Sequence, residues 1–395
     1  MRTADGCKLF GAHQALAGIK DGVILFHSVV GCNFGSMAFH LPHDMRDIRQ
    51  TCTVISDSDV VFSGETSLER AIGYTLEQFS PSVVFVVTGC VSEMVGDDVR
   101  SVLSRFPSSP PLLYVEAAGF RGSLLQGYEE SLLALLPLME PPRKKQQTPP
   151  RINLLGLGSS DYRMEEDIQA LGALIEPQAE LGTAFSSCTL SDVRTAASAS
   201  LNLVVGRGIQ LAREMEKRFG IPYEEIDYPY GILGSQEIFQ LLRKHFGISC
   251  GEKLALLKER SASQAGRIYP YLQALYGRPA AVIGSEARSR GMKRFLEEEL
   301  GMVVVAMACR EKLSDLELFY QQVRQSEAAL LFGSSFEQDL AEELGIPLIR
   351  CDYPVFDQIC ITPSPYVGID GTAYLLESIV NGIMGNRSPK GALYQ

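Results

Sequence analysis

The run Val83-Val-Phe-Val-Val87, followed at once by Thr88-Gly-Cys90, has the composition of a buried strand that ends in a glycine turn. A short run that is apolar at every position is typical of a parallel strand, because helices cover both of its faces. Gly22-Val-Ile-Leu-Phe-His27 has the same character. Apolar residues recur at helical spacing between the two runs, and acidic residues after Gly96 predict a further helix over 96–106. The region therefore indicates parallel βαβ units.

The same alternation of strand and helix patterns restarts twice along the chain. The first restart follows 137–150, a proline-rich segment that contains little that could pack and that we interpret as a linker or surface crossover. The second restart follows Gly277-Arg-Pro279, and its first helix is expected over 291–300. We therefore predict an α/β protein of three tandem doubly wound, Rossmann-like domains with parallel sheets, spanning 1–150, 151–275 and 276–395.

The composition narrows the classes of partner. Of 395 residues, 46% are hydrophobic and 21% are charged, as in an ordinary globular protein. The net charge is −11 and there is no long basic cluster, so neither nucleic acid nor an anionic membrane is expected as a partner. No apolar run reaches the about 18 residues that span a bilayer. Because the first residues also lack the pattern of a signal peptide, we expect a cytoplasmic protein.

Glycine-rich turns follow two of the predicted strands, at 156–161 and 284–291. Neither matches the GxGxxG dinucleotide fingerprint, and the sequence contains no GxxxxGK[ST] phosphate loop. Tight strand-to-helix turns explain these segments better than a nucleotide site does. The sequence therefore predicts that this chain does not hydrolyse ATP itself.

Three of the nine cysteines occupy positions where a parallel sheet places its ligands. Cys32 and Cys90 each follow a predicted strand, Cys7 lies at the entry to a predicted helix, and glycine precedes all three. Ligands of open parallel sheets bind beyond the carboxyl ends of the strands, and three thiolates on one rim could hold an iron–sulfur cluster. Three unrelated cysteines remain the alternative. We interpret the other six as structural: Cys52, Cys188, Cys250, Cys309, Cys351 and Cys360.

For other polar residues near these cysteines, we consider both a functional role and a purely structural one. Glu93 is close enough in sequence to Cys90 to tune a cluster or relay a proton, but a carboxylate at the start of a helix explains it equally well. His40 and His43 could mark a mononuclear metal site, although a solvated loop is the simpler explanation.

Several phrases, taken in order, resemble the nitrogenase component 1 family, and their spacing is similar to that of the β chain of the molybdenum–iron protein. The likeness covers nearly the whole chain. Its phrases are Gly31-Cys-Asn-Phe34, Val61-Phe-Ser-Gly64, the segment from Thr88 to Asp98, Ala118-Gly-Phe-Arg-Gly-Ser123, Gly333-Ser-Ser-Phe-Glu337, Tyr353-Pro-Val-Phe-Asp357 and Tyr366-Val-Gly-Ile-Asp-Gly371.

The resemblance implies specific roles for four residues. Cys7, Cys32 and Cys90 match the β-chain ligands of the P-cluster, an [8Fe–7S] centre shared with the α chain; a simpler [4Fe–4S] centre is the alternative. Phe62 matches an aromatic residue on the surface where the ATP-driven iron protein docks, whereas a buried strand-end aromatic is its plain interpretation. The implied partners are an α-type subunit, in an α2β2 heterotetramer, and an ATP-dependent [4Fe–4S] iron-protein reductase.

Departures from the family pattern refine the implied function. Gly206 stands where the family's α chains carry the cysteine that holds the active-site cofactor, so this chain is not expected to hold that cofactor. Gly119 replaces a serine that can ligate the oxidised P-cluster in some β chains. The chain is also shorter than those β chains. A nitrogenase-like methylthio-alkane reductase is therefore the best specific interpretation, and the alternatives are a nitrogenase β chain proper, a cofactor-assembly scaffold, a tetrapyrrole reductase subunit and a metal-free α/β binding protein.

Overall fold

The computed structural model describes residues 6–38, 49–107, 110–142 and 149–385. These residues form three four-stranded sheets with helices between the strands. The chain divides into two compact units, Met1–Ser160 with Gly182–Glu224, and Asp161–Leu181 with Glu225–Gln395. The predicted α/β class with three parallel sheets is confirmed. The domain boundaries after residues 150 and 275 remain a prediction.

The first sheet lies within the first unit and has the strand order β2-β1-β3-β4, with all neighbours parallel. Its strands are β1 (Gly22–His27), β2 (Gln50–Cys52), β3 (Val83–Thr88) and β4 (Leu112–Glu116). Every residue of β1 and β3 is buried, as the continuous apolar runs predict. The associated helices are α1 (Lys8–Leu16), α2 (Val30–Ala38), α3 (Asp57–Phe62), α4 (Glu65–Phe79), α5 (Cys90–Val95), α6 (Val99–Ser104) and α7 (Leu124–Leu133).

The helix expected over 96–106 is wrong at its start. The chain turns helical directly after β3, and α5 ends at Gly96, whose φ of +83° suits glycine. A second helix, α6, then begins after Asp98, whose side chain accepts a hydrogen bond from the Ser101 amide. Of the two acidic residues after Gly96, Asp98 therefore caps α6, while Cys90 occupies the first turn of α5.

The second sheet has the order β6-β5-β7-β8. Its strands are β5 (Arg151–Leu155), β6 (Glu180–Ala184), β7 (Leu201–Val205) and β8 (Tyr223–Ile226). The central pair, β5 and β7, is parallel and lies in the first unit. Six helices follow this sheet's strands along the chain: α8 (Met164–Ile175), α9 (Leu190–Thr195), α10 (Ile209–Phe219), α11 (Gly231–Phe246), α12 (Gly251–Arg267) and α13 (Tyr269–Gln273).

The third sheet belongs to the second unit and has the order β10-β9-β11-β12, again parallel throughout. Its elements in chain order are β9 (Pro279–Gly284), α14 (Glu286–Arg294), β10 (Val303–Cys309), α15 (Leu313–Gln325), β11 (Leu330–Gly333), α16 (Gln338–Leu344), β12 (Leu348–Arg350) and α17 (Gly368–Gly385).

The helix expected over 291–300 begins earlier than predicted. α14 starts at Glu286 and continues into a wider helical turn over Phe295–Glu299. Gly291 lies inside the helix, where an added Cβ would stand 2.1 Å from the carbonyl oxygen of Tyr228. This glycine therefore marks close packing and not the start of a helix. Within the described residues, no helix is both long enough and apolar enough to cross a membrane.

Candidate functional site

The three cysteines singled out from the sequence lie at the edge of the first sheet where β1 and β3 end. Cys7 immediately precedes α1, Cys32 is the third residue of α2, and Cys90 is the first residue of α5. All three are partly exposed, and all nine cysteines of the chain are free thiols. Cys7 also pairs with Ser123 in an isolated antiparallel bridge, which ties the start of α1 to the segment before α7.

Gly119 lies between two of these thiols. Its backbone amide donates a hydrogen bond to the Cys90 Sγ at 3.1 Å. A Cβ at this position would stand 3.0 Å from the Cys7 Cβ and 3.5 Å from the Cys90 Sγ. Hydrogen bonds from neighbouring groups to a ligand atom are a common feature of metal sites. The absence of a side chain at residue 119 therefore leaves both sulfur atoms accessible.

Cys32 belongs to the same group of thiols. Burial raises the pKa of Cys32, and the neighbouring Cys7, Cys90 and Cys52 raise it further, whereas a hydrogen bond with Ser28 opposes the shift. Thiolates that repel one another in this way cost free energy when they are ionised together. Positive charge placed among them, such as the iron of a cluster, would offset that cost.

Cys52 is a fourth thiol in this region that the sequence does not indicate. Its Sγ lies 3.3 Å from the carbonyl oxygen of Ser28 and accepts a hydrogen bond from the Val54 amide at 3.3 Å. Burial raises the pKa of Cys52. The sequence suggests only a structural role for Cys52, because a strand of three residues such as β2 is too short to show a periodic pattern of apolar residues. Because Cys52 lies beside Ser28, a Cys52 variant is not a suitable control in mutagenesis of the other three cysteines.

A site for a single metal ion does not form here. In the part of the chain that the structure describes, no three Cys, His, Asp or Glu side chains lie close enough to hold one ion. His40 and His43, the other candidate metal ligands, lie outside the described residues.

Glu93 is engaged in structural contacts. Its Oε1 accepts hydrogen bonds from the Thr88 hydroxyl at 2.7 Å and the Ala118 amide at 3.1 Å. Its Oε2 forms an ion pair with the Arg121 Nε at 2.8 Å. Because Ala118 and Arg121 flank Gly119, Glu93 fixes the turn that carries the Gly119 amide to Cys90.

Phe62 ends α3 with its side chain 83% exposed, so the interpretation of a buried aromatic is wrong. Other large apolar side chains are exposed on, or next to, the elements that carry the cysteines. Phe34 is two residues from Cys32, Met94 is in α5, and Phe120 is next to Gly119. Several exposed large apolar side chains in one region are typical of a surface that contacts another protein.

The glycine turns of the other two sheets are filled by the protein's own carboxylates. Asp352 accepts a hydrogen bond from the Ser285 amide at 2.6 Å, directly after β9. Glu129 accepts from the amides of Gly208 and Gln210 at 2.6 and 3.0 Å, at the start of α10. These are the amides that hold phosphate in nucleotide-binding folds. Asp352 therefore supports the interpretation of 284–291 as a structural turn, and Glu129 occupies the turn after β7 in the same way.

A family model described as nitrogenase component 1 type oxidoreductase matches residues 7–384. The chain belongs to this family. As a component 1-type protein it is an oxidoreductase, and the match includes all three cysteines at the edge of the first sheet.

Individual relatives agree with this assignment. The chain is 24% identical to a nitrogenase molybdenum–iron protein beta chain of Methanococcus maripaludis, over 96% of this chain and 93% of the relative. It is 26% identical to the nitrogenase iron–molybdenum cofactor biosynthesis protein NifE of Bradyrhizobium diazoefficiens, over 96% of this chain and 74% of the relative. A solved structure described as nitrogenase Cp1 at pH 5 has the same fold, with a TM-score of 0.82, 19% identity, and coverage of 100% and 91% of the two chains.

Gly206, which stands in place of a cysteine, lies in a closely packed segment. Gly206 follows β7, and the neighbouring Arg207 is buried, with its Nη1 donating to the Gln14 Oε1 at 2.9 Å. The Arg207 guanidinium carbon lies 4.6 Å from the centre of the Tyr128 ring. Glu129 accepts hydrogen bonds from the amides that follow, so side chains of this chain fill the space around the end of β7.

Proposed function

We propose that this protein is the β-type subunit of a nitrogenase-like reductase complex and holds half of an interfacial iron–sulfur cluster. The observation that carries the proposal is the grouping of three thiols: Cys7 and Cys90 border the space left by Gly119, and Cys32 lies near enough to both to interact with them electrostatically. Free thiols, an amide donor and partial burial are the properties that cluster sites require. An [8Fe–7S] centre of the P-cluster type fits the proposal best, and a [4Fe–4S] centre is the alternative.

The residues of this chain have separate tasks in the proposed site. Cys7, Cys32 and Cys90 would supply thiolate ligands, and the cluster, when bound, accepts and releases single electrons. The Gly119 amide stabilises negative charge on the Cys90 sulfur, and Glu93 holds that amide in place. Partial burial limits the access of water to the thiols. Both effects are established means of tuning a reduction potential.

An α-type subunit would complete the site from the exposed side. Three thiolates leave one side of a cluster open. The exposed Phe34 and Met94 lie on the helices that carry Cys32 and Cys90, and the exposed Phe120 follows Gly119. We infer that these side chains contact the α-type subunit in an α2β2 heterotetramer. The substrate-reducing cofactor would then belong to that subunit, because Gly206 supplies no thiol here.

Electrons would arrive from an ATP-dependent [4Fe–4S] iron protein that docks at Phe62. The exposure of this aromatic side chain suits a docking contact. This chain contains no phosphate loop of its own, so ATP hydrolysis would take place on the reductase. The most specific version of the proposal is a methylthio-alkane reductase.

Other members of the family provide the competing functions. The similarity to NifE favours a scaffold on which a cofactor is assembled. A nitrogenase β chain proper and a tetrapyrrole reductase subunit are the remaining alternatives. The presence of all three cysteines argues against a scaffold, because β-type scaffold chains of this family usually keep fewer of them.

Anaerobic co-purification with the α-type chain tests the proposal. We expect a brown heterotetramer with roughly eight cluster irons per αβ pair beyond those of the active-site cofactor, and reduction of methylthio-alkanes only with the iron protein and ATP. About four irons would favour the tetrapyrrole reductase or scaffold interpretations. A colourless pair, or a single chain that is fully metallated and active, would contradict the proposal.

A further inference from the structure

A buried carboxylate joins the residues after Phe62 to the first sheet. The Asp97 side chain is 1% exposed. Its Oδ1 accepts hydrogen bonds from the Ser63 hydroxyl and the Gly64 amide, both at 2.8 Å. Its Oδ2 lies 2.9 Å from the Nε2 of His27, the last residue of β1. One side chain therefore links the end of α3 to the end of a central strand.

The hydrogen bonds continue from His27 to the thiols. The His27 Nδ1 lies 3.2 Å from the Thr53 hydroxyl, which also accepts a hydrogen bond from the Ser28 amide at 3.2 Å. The Ser28 carbonyl oxygen in turn accepts a hydrogen bond from the Cys52 Sγ at 3.3 Å, and the Ser28 side chain lies close enough to Cys32 to oppose the rise of that thiol's pKa. The path from Ser63 to Cys32 thus runs through side chains and short backbone segments of one compact unit.

The backbone beside Phe62 needs this support. Ser63 has a φ of +93°, a conformation that is unfavourable for any residue with a side chain. Such a conformation persists only where its surroundings hold it in place. The hydrogen bonds from Ser63 and Gly64 to Asp97 provide that hold, and they set the direction in which Phe62 leaves α3.

We propose that Asp97 is a positioning residue for electron delivery, which holds the Phe62 docking segment in register with the cysteine-bearing sheet edge. This inference rests on the proposed function, since it assumes that a reductase docks at Phe62. Asp97 itself contacts neither the thiols nor the proposed partner. Its effect passes through Ser63 and Gly64 on one side and through His27 on the other.

The test uses the co-purified complex with its iron protein and ATP. Asp97→Ala removes the acceptor, whereas Asp97→Asn retains a carbonyl oxygen for Ser63 and Gly64. Asp98→Asn is the matched control, because Asp98 only caps α6. Iron content and the cluster's electron paramagnetic resonance signal are measured first. The rate is then followed against the concentration of iron protein.

We expect Asp97→Ala to keep its iron and its rate at saturating reductase, but to need about tenfold more iron protein for half-maximal rate. Asp97→Asn should restore that concentration to within about twofold, and Asp98→Asn should match the wild type. A general loss of structure would lower iron content as well and would not be rescued by asparagine.

Two results would overturn the inference. A fully metallated Asp97→Ala complex with the wild-type half-saturating concentration would remove the positioning role and leave the proposed function intact. If Asp97→Ala does not fold, Ser63→Ala decides, since it deletes only the hydroxyl, and an unchanged half-saturating concentration would again reject the role. A wild-type complex without a cluster, or one that does not respond to the iron protein, would reject the proposed function together with this inference.

Discussion

The Gly119 amide donates a hydrogen bond to the Cys90 sulfur at 3.1 Å, from a position where a side chain would collide with Cys7. The same glycine thus stabilises one thiol and leaves space beside another. Glu93 holds the turn on which this amide lies. The arrangement explains how two cysteines that are 83 positions apart in sequence come to border the same space.

Filling that space should expel the cluster. We expect Gly119→Val to lose most of the cluster iron, because its Cβ alone would lie 3.0 Å from the Cys7 Cβ. Anaerobic iron analysis of the co-purified complex measures the loss. Gly73→Ala is the control, since an added Cβ in α4 contacts nothing within 4 Å; it should keep its iron and gain up to about 1 kcal/mol of stability. Full iron content in Gly119→Val would contradict the proposed site.

Removing a ligand should have a similar effect without adding bulk. Cys32→Ala or Cys90→Ala is expected to lose most of the cluster iron and to weaken association with the α-type subunit. Iron analysis and size-exclusion chromatography measure the two effects. Cys188→Ala, in the buried core of the same unit, should retain its iron and lose at most about 2 kcal/mol of stability. Equal iron in all three variants would show that these thiols are not ligands.

Phe62 should affect docking alone. We expect Phe62→Ala to retain its iron and to need several-fold more iron protein for half-maximal rate, because an exposed aromatic anchor is lost. Tyr74→Ala removes another exposed aromatic side chain, from α4 of the same unit, and should leave that concentration unchanged. The titration of rate against iron protein distinguishes the two. Identical curves for both variants would place the docking surface elsewhere.

His13 should make the stability of the first unit depend on pH. Burial lowers the pKa of His13 from its usual 6.5 to about 4, although its hydrogen bond with Gln50 opposes the shift. Between these values the unfolded chain binds the proton and the folded chain does not. The contribution is therefore fully present above pH 6.5 and is lost as pH falls toward 4, by up to about 3 kcal/mol.

The variant His13→Gln isolates this contribution. It retains a side chain that can hydrogen-bond with Gln50 but cannot take up a proton in this range. Denaturant unfolding followed by circular dichroism at several pH values should show a shallower loss of stability than in the wild type between pH 6.5 and 4. Parallel profiles for the two proteins would show that His13 titrates as it does in the unfolded chain.

Much of the fold follows from local patterns in the sequence. The continuous apolar runs of β1 and β3 predict buried parallel strands, because only a strand covered on both faces can be apolar at every position. The likeness of short ordered phrases to nitrogenase component 1 also indicates the family from the amino-acid sequence alone. Short edge strands such as β2 and β8 escape prediction, because three or four residues are too few to show a period.

The sequence by itself determined that Cys32 and Cys90 follow the ends of two buried strands and that Cys7 precedes a helix. Only the tertiary structure decided that Gly119 lies between Cys7 and Cys90, that Cys52 lies beside Ser28, and that Asp97 connects Ser63 to His27. These pairs are far apart along the chain, and no local propensity relates them. They come together because parallel strands deliver their carboxyl ends to one edge of a sheet, and the register of those strands is set by the packing of the whole core.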